Sequence, residues 1–175
     1  MSAKSILQPS LYVETLLHIP LAELAARGIK GLIIDLDNTI TEWNSPELKE
    51  EVSAWFKSLA GYELRACIAS NNSRDRVEQI GRSLGIPAIH KAGKPRRKAF
   101  RQAMNVLGTN QHTTAVIGDQ IFTDILGGNR LGMYTILVSP LNPREFIGTR
   151  LVRKLERLVL KKYFNKGDRY EGNYK

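Results

Sequence analysis

The chain has 175 residues, 42% of them hydrophobic and 25% charged, the make-up of an ordinary folded protein with room for one core rather than two. A single cysteine, Cys67, excludes a disulfide framework and points to a reducing compartment. The net charge of +9 is uneven, because nine Lys and Arg against Glu156, Asp168 and Glu171 give +6 between 150 and 175 and leave +3 for the rest.

The first 28 residues carry little periodicity beyond Leu21 to Ala26, a short helix that stops at Gly28. Gln8, Pro9 and Ser10 interrupt any secretory apolar core, and no stretch reaches the roughly 20 apolar residues of a spanning helix, so a cytoplasmic location is expected. Gly31 to Ile34 is a continuously apolar first strand, as a strand covered on both faces should be. Ser45-Pro46 reads as a helix start, with Leu48, Val52, Trp55 and Leu59 at helical spacing. Leu64 to Ala69 is the second strand, and Cys67 within it is a core residue. A helix follows with Val77, Ile80 and Leu84 on one face and Gly85 as its stop. Pro87 to His90 is a short third strand; Pro95 opens a helix that ends at Gly108. Thr114 to Ile117 is the fourth strand, Ile121 to Leu131 a helix loosened at Gly127-Gly128, and Thr135 to Val138 the fifth strand. A last helix is predicted from about Pro143 to Tyr163. Short apolar runs alternating with amphipathic segments build β-α-β units. The expected fold is a Rossmann-like three-layer α/β sandwich with a parallel sheet of about five strands. A single domain is expected, with a core at about 29–139, an N-terminal helical segment 1–28 and a basic C-terminal helix and tail 143–175.

In such sheets ligands bind beyond the carboxyl ends of the strands. Four polar sets fall there: Asp35-Leu36-Asp37-Asn38-Thr39, Ser70-Asn71-Asn72, Gly93-Lys94-Pro95, and Gly118-Asp119 with Asp124. Carboxylates converging on one sheet edge repel one another unless a cation lies between them. An all-oxygen donor set with few protein ligands favours magnesium, which keeps several waters and binds substrate phosphate. His18, His90 and His112 are scattered and read as no metal ligands.

This arrangement resembles the haloacid dehalogenase (HAD) superfamily over roughly residues 29 to 139. The resemblance implies that Asp35 attacks phosphorus and becomes an aspartyl phosphate, and that Asp37 serves as general acid and then general base. It implies a magnesium ion held by Asp35, the backbone carbonyl of Asp37, Asp119 and Asp124. It further implies that Ser70 and Lys94 contact the phosphoryl oxygens and that Thr39 and Asn71 complete the substrate side, with Thr39 bracing the loop around Asp37. Aspartate at position 37 favours a phosphatase or phosphotransferase over a dehalogenase.

The gaps from Thr39 to Ser70 and from Ser70 to Lys94 hold about one helix and one strand each, too little for a cap domain. An open site suits a phosphate on something large, a protein, a nucleic acid or a lipid head group. Lys91, Arg96, Arg97, Lys98 and Arg101 crowd around Lys94, and Ile147, Leu151, Leu155, Leu158 and Val159 form an apolar stripe in the basic C-terminal segment. Such a stripe packs on the core or docks on an anionic membrane. At finer grain, Gly28-Ile29-Lys30, the Asp35 and Ser70 motifs, and above all the run from Gly118 through Asp124 to Arg130 resemble the YqeG family. That capless branch includes mitochondrial and plastid phosphatidylglycerophosphate phosphatases. The likeness implies a lipid phosphatase, peripheral on the inner face of the membrane, that makes phosphatidylglycerol. A phosphoprotein or nucleotide substrate stays open, as does a non-catalytic RNA- or ribosome-binding module on the same scaffold. No run of base-stacking aromatics supports the last reading.

Overall fold

Alternation of side chains along short apolar strands decides the layers. The computed structural model describes residues 5–43 and 45–142. Six strands form one sheet: β1 (Leu11–Val13), β2 (Gly31–Ile34), β3 (Arg65–Ala69), β4 (Ala88–Ile89), β5 (Thr114–Gly118) and β6 (Tyr134–Val138). Their order is β1-β6-β5-β2-β3-β4, and every pairing is parallel. Leu32 and Ile34 of β2, Ala66 and Ile68 of β3, and Ala115 and Ile117 of β5 pack on one side with α1 (Leu21–Ala26), α2 (Glu50–Ser58) and α3 (Arg74–Leu84). Ile33, Cys67, Ala69 and Val116 face the other side, under α4 (Arg97–Leu107). The three-layer α/β sandwich is as expected, with all four residues of β2 buried.

Four boundaries differ from the sequence reading. The N-terminal segment is not only helical: β1 pairs with β6 at the sheet edge. Asn129 ties the segment before β1 down, its Nδ2 donating to the carbonyls of Ile6 and Gln8 at 2.8 and 2.9 Å. The sheet therefore has six strands, not five; a three-residue strand is too short to show a period. Next, α2 begins at Glu50 rather than at Ser45-Pro46. The Ser45 hydroxyl accepts from the Glu47 N–H in a local turn, and its carbonyl is taken by Arg76. Third, α4 opens at Arg97, after an extended Arg96. Fourth, the chain is helical straight through Gly127-Gly128, and the irregularity lies earlier, as a π-helical turn over Ile121–Ile125 ahead of α5 (Leu126–Asn129). The glycines serve close packing: a Cβ on Gly127 would sit 2.4 Å from the Phe100 ring, and one on Gly128 2.6 Å from Thr135. The helix predicted from Pro143 to Tyr163, with its basic tail, lies outside the described residues.

The connections through α2 and α3 carry the chain from β2 outward to β4 on one face, and α4 then returns it on the other face to β5, beside β2. The direction of winding reverses between β2 and β5, which leaves a crevice between their carboxyl ends. Between Thr39 and Ser70 the described residues hold α2, a 3₁₀ turn and β3; between Ser70 and Lys94 they hold α3 and β4. No capping insertion occupies either interval among them.

Candidate active site

Asp35 follows the last residue of β2, and Asp119 the last of β5, so the parallel pairing of the two strands sets their carboxylates side by side. Asp124 comes back over the same point from the π-helical turn, where its backbone N–H donates to the Gln120 carbonyl. Gly118 makes this approach possible, since a Cβ there would lie 2.2 Å from the Asp124 carboxyl. One carboxylate oxygen each from Asp35, Asp119 and Asp124 falls within 4.8 Å of the others, and all three residues are buried.

Lys94 reaches into this cluster from the loop after β4. Its Nζ donates to Asp35 Oδ1 at 2.8 Å and to Asp124 Oδ1 at 2.6 Å. The Asn71 side chain steadies the lysine's backbone: its Oδ1 accepts from the Lys94 N–H at 2.9 Å and its Nδ2 donates to the Lys94 carbonyl at 3.3 Å. Burial alone would lower the Lys94 ammonium, but Asp124 and Asp35 outweigh it and hold the group above the ordinary lysine value. Burial pushes the Asp35 carboxyl up to about 6, with Lys94 opposing the rise and Asp124 adding to it. Three carboxylates against one ammonium form a buried oxygen cluster whose charge and donor set fit a divalent cation.

Above this floor opens a cleft of about 390 Å³, lined by Asp35, Asp37, Trp43, Ser70, Asn71, Asn72, Lys94, Gln120 and Thr123. Ser70 is buried at its edge, its hydroxyl accepting from the Asn72 N–H at 3.2 Å. Asp37 lines the cleft but its carboxylate stands apart from the acidic cluster. Oδ1 takes two hydrogen bonds from Arg76, at 3.0 and 2.7 Å, and Oδ2 one from Asn72 at 2.8 Å. Thr39 does not line this cleft. It is buried, borders a neighbouring groove with Leu16, Ile40 and Val52, and its hydroxyl has no hydrogen-bond partner among the described residues.

The structure therefore gathers Asp35, Asp119, Asp124 and Lys94 at one point, with Asp37, Ser70 and Asn71 around the opening. Arg76, Trp43, Gln120 and Thr123 were not singled out from the sequence. Arg76 reads as a solvated helix residue, and nothing local signals a partner 39 positions earlier. Gln120 and Thr123 lie inside the Gly118-to-Asp124 run, and that spacing was the available signal.

A HAD-hydrolase-like family model matches residues 91–140, the stretch that holds Lys94, Asp119 and Asp124. Probable phosphatase YqeG of Bacillus subtilis is 40% identical over 164 residues, spanning 94% of this chain and 95% of that protein. Phosphatidylglycerophosphate phosphatase 1, chloroplastic/mitochondrial, of Arabidopsis thaliana is 30% identical over 172 residues, spanning 91% of this chain and 49% of that protein. Among solved structures, the cobalt-bound deoxy-D-mannose-octulosonate 8-phosphate phosphatase of Haemophilus influenzae superposes with a TM-score of 0.54 at 16% identity. It covers 78% of this chain and 90% of its own, and at that identity the likeness concerns the fold. A strand-end aspartate cluster on a HAD-like sheet, joined to a relative that is 40% identical over nearly the full length of both chains, places the chain in the YqeG family of HAD phosphatases.

Proposed function

We propose that the chain hydrolyses phosphomonoesters through a phosphorylated Asp35, and that its substrate is a phosphatidylglycerophosphate-type lipid. The observation that carries the chemistry is the juxtaposition of Asp35 with Lys94, Asp119 and Asp124 on the floor of a cleft whose wall bears Asp37. An oxygen of Asp35 attacks phosphorus, the bond from phosphorus to the ester oxygen breaks, and Asp37 gives that oxygen its proton. Water then attacks the aspartyl phosphate, Asp37 takes a proton from it, and phosphate and free Asp35 are restored. Lys94 and the Ser70 hydroxyl hold phosphoryl oxygens, and Asn71 acts on the substrate side by fixing the Lys94 backbone. Asp35, Asp119, Asp124 and the Asp37 carbonyl would hold a magnesium ion, which would supply charge to offset that of the phosphoryl oxygens. Thr39, away from the cleft, braces the loop that carries Asp37.

The lipid assignment is supported by the Arabidopsis relative and by the cleft's lack of a cap among the described residues. The basic segment from Arg150 onward is the part we assign to an anionic membrane surface. The deciding experiment is a panel of phosphomonoesters with magnesium: phosphatidylglycerophosphate in mixed micelles, a phosphopeptide, a nucleotide and p-nitrophenyl phosphate. The lipid is expected to give the highest kcat/KM, and Asp35→Asn to abolish turnover of every ester while the protein stays folded. Wild-type turnover by Asp35→Asn refutes the nucleophile; preference for the peptide or nucleotide refutes the lipid.

A further inference from the structure

Arg76, the third residue of α3, turns its guanidinium inward, with Nε, Nη1 and Nη2 all donating to protein acceptors. Its side chain is 11% exposed. Nε and Nη2 donate to Asp37 Oδ1, Nη2 also to the Thr41 hydroxyl at 2.9 Å and the Glu42 carbonyl at 3.2 Å, and Nη1 to the Ser45 carbonyl at 2.5 Å. Arginine presents its donors in a rigid planar fork, so this set of partners fixes both the guanidinium and the carboxylate it holds. A lysine offers a single charge centre and cannot span the same acceptors.

The two sides of the Asp37 carboxylate are not equivalent. Asp37 and Asn72 line the cleft, and Arg76 does not. Oδ1 is therefore gripped from behind, while Oδ2 meets the Asn72 amide at 2.8 Å on the cleft side. We infer that Arg76 is a positioning residue for proton transfer: by anchoring Oδ1 it makes Oδ2 the oxygen that hands the proton to the leaving alcohol and takes one from the attacking water. A protonated Oδ2 keeps a lone pair for the Asn72 amide while its O–H points into the cleft. The same fork ties Asp37 to Thr41, Glu42 and Ser45, on either side of Trp43 in the cleft wall. This inference rests on the reading of Asp37 as general acid and base.

Its test is the dependence of rate on the leaving group, with magnesium saturating. An alkyl phosphate, glycerol phosphate, needs its leaving oxygen protonated; p-nitrophenyl phosphate has a stable leaving anion and needs this far less. Asp37→Asn is expected to slow glycerol phosphate roughly 100-fold and p-nitrophenyl phosphate much less during formation of the aspartyl phosphate, measured in single turnover. Arg76→Gln is expected to show the same selective loss, about 10-fold or more on the alkyl ester, since a misplaced acid loses most of its effect. Arg76→Lys should recover only part of it. Equal slowing of both esters by Arg76→Gln and Arg76→Lys, or no slowing, overturns the assignment in favour of a loop brace. If Asp37→Asn shows no selectivity, the general-acid reading fails and the Arg76 role with it. If Asp37→Asn is selective and Arg76→Gln is not, the Arg76 role alone fails.

Discussion

Lys94 determines how the acidic cluster behaves at the scale of single side chains. It bridges Asp35 and Asp124 in a site where both carboxylates are buried. One ammonium still leaves Asp35 with a carboxyl raised by burial from the usual 3.8 to about 6. Between these values folded protein keeps a proton on Asp35 that the unfolded chain has lost, so the contribution of Asp35 to the stability of the metal-free protein falls as pH rises from about 4 to about 6. A cation binds the deprotonated oxygens, so magnesium is expected to raise the melting temperature little near pH 5 and substantially above pH 7. Calorimetry across that range, with chelator and with magnesium, checks it; an equal shift at both ends refutes the coupling. Among the residues, Asp35, Lys94, Asp119 and Asp124 were legible because each follows a strand of a parallel sheet. Arg76 and the role of Asn72 were not, because their partner Asp37 comes from another strand end and only folding brings them together.

At the scale of elements, the junction of β5 with the π-helical turn is what delivers the third carboxylate. Gly118 ends the strand, and the turn folds Asp124 back against it so closely that no side chain fits between. Gly118→Ala is expected to push Asp124 outward and to raise the magnesium concentration for half-maximal activity by about 10-fold or more, as carboxylate ligand geometry is lost. A magnesium titration of activity reads this directly, and an unchanged requirement would show that Asp124 is no ligand. The elements themselves were largely visible from periodicity: β2, β3, β5, β6 and the glycine stops of α3 and α4 follow from apolar runs and from Gly85 and Gly108 at positive φ. The start of α2 and the helical passage through Gly127-Gly128 were misread. A Ser-Pro pair and a Gly-Gly pair carry strong local preferences, and here Arg76 and Phe100 override them from a distance.

For the whole molecule, the reversal of winding between β2 and β5 gives an open cleft. Among the described residues no helix is long and apolar enough to cross a membrane. Under the proposed lipid reading, the part we assign to the bilayer surface is the basic segment 150–175, which lies outside the described residues. Each Lys or Arg near an anionic surface contributes on the order of 1 kcal/mol. Vesicles containing anionic lipid should therefore sediment with the protein at low salt and release it at high salt, while neutral vesicles should not bind. Changing Arg150, Arg153, Lys154 and Arg157 to Gln is expected to abolish sedimentation while turnover of soluble p-nitrophenyl phosphate stays unchanged. Equal binding to neutral and anionic vesicles refutes the assignment.

The sequence by itself determined the sheet's interior strands and the strand ends where polar residues collect. These depend on local alternation and on the rule that parallel strands open their sites at carboxyl ends. Only the tertiary structure decided which groups touch: Lys94 on Asp35 and Asp124, and the Asp37 carboxylate on Arg76 and Asn72. That choice is set by distances between residues tens of positions apart, such as the 59 positions between Asp35 and Lys94, and no local pattern encodes them.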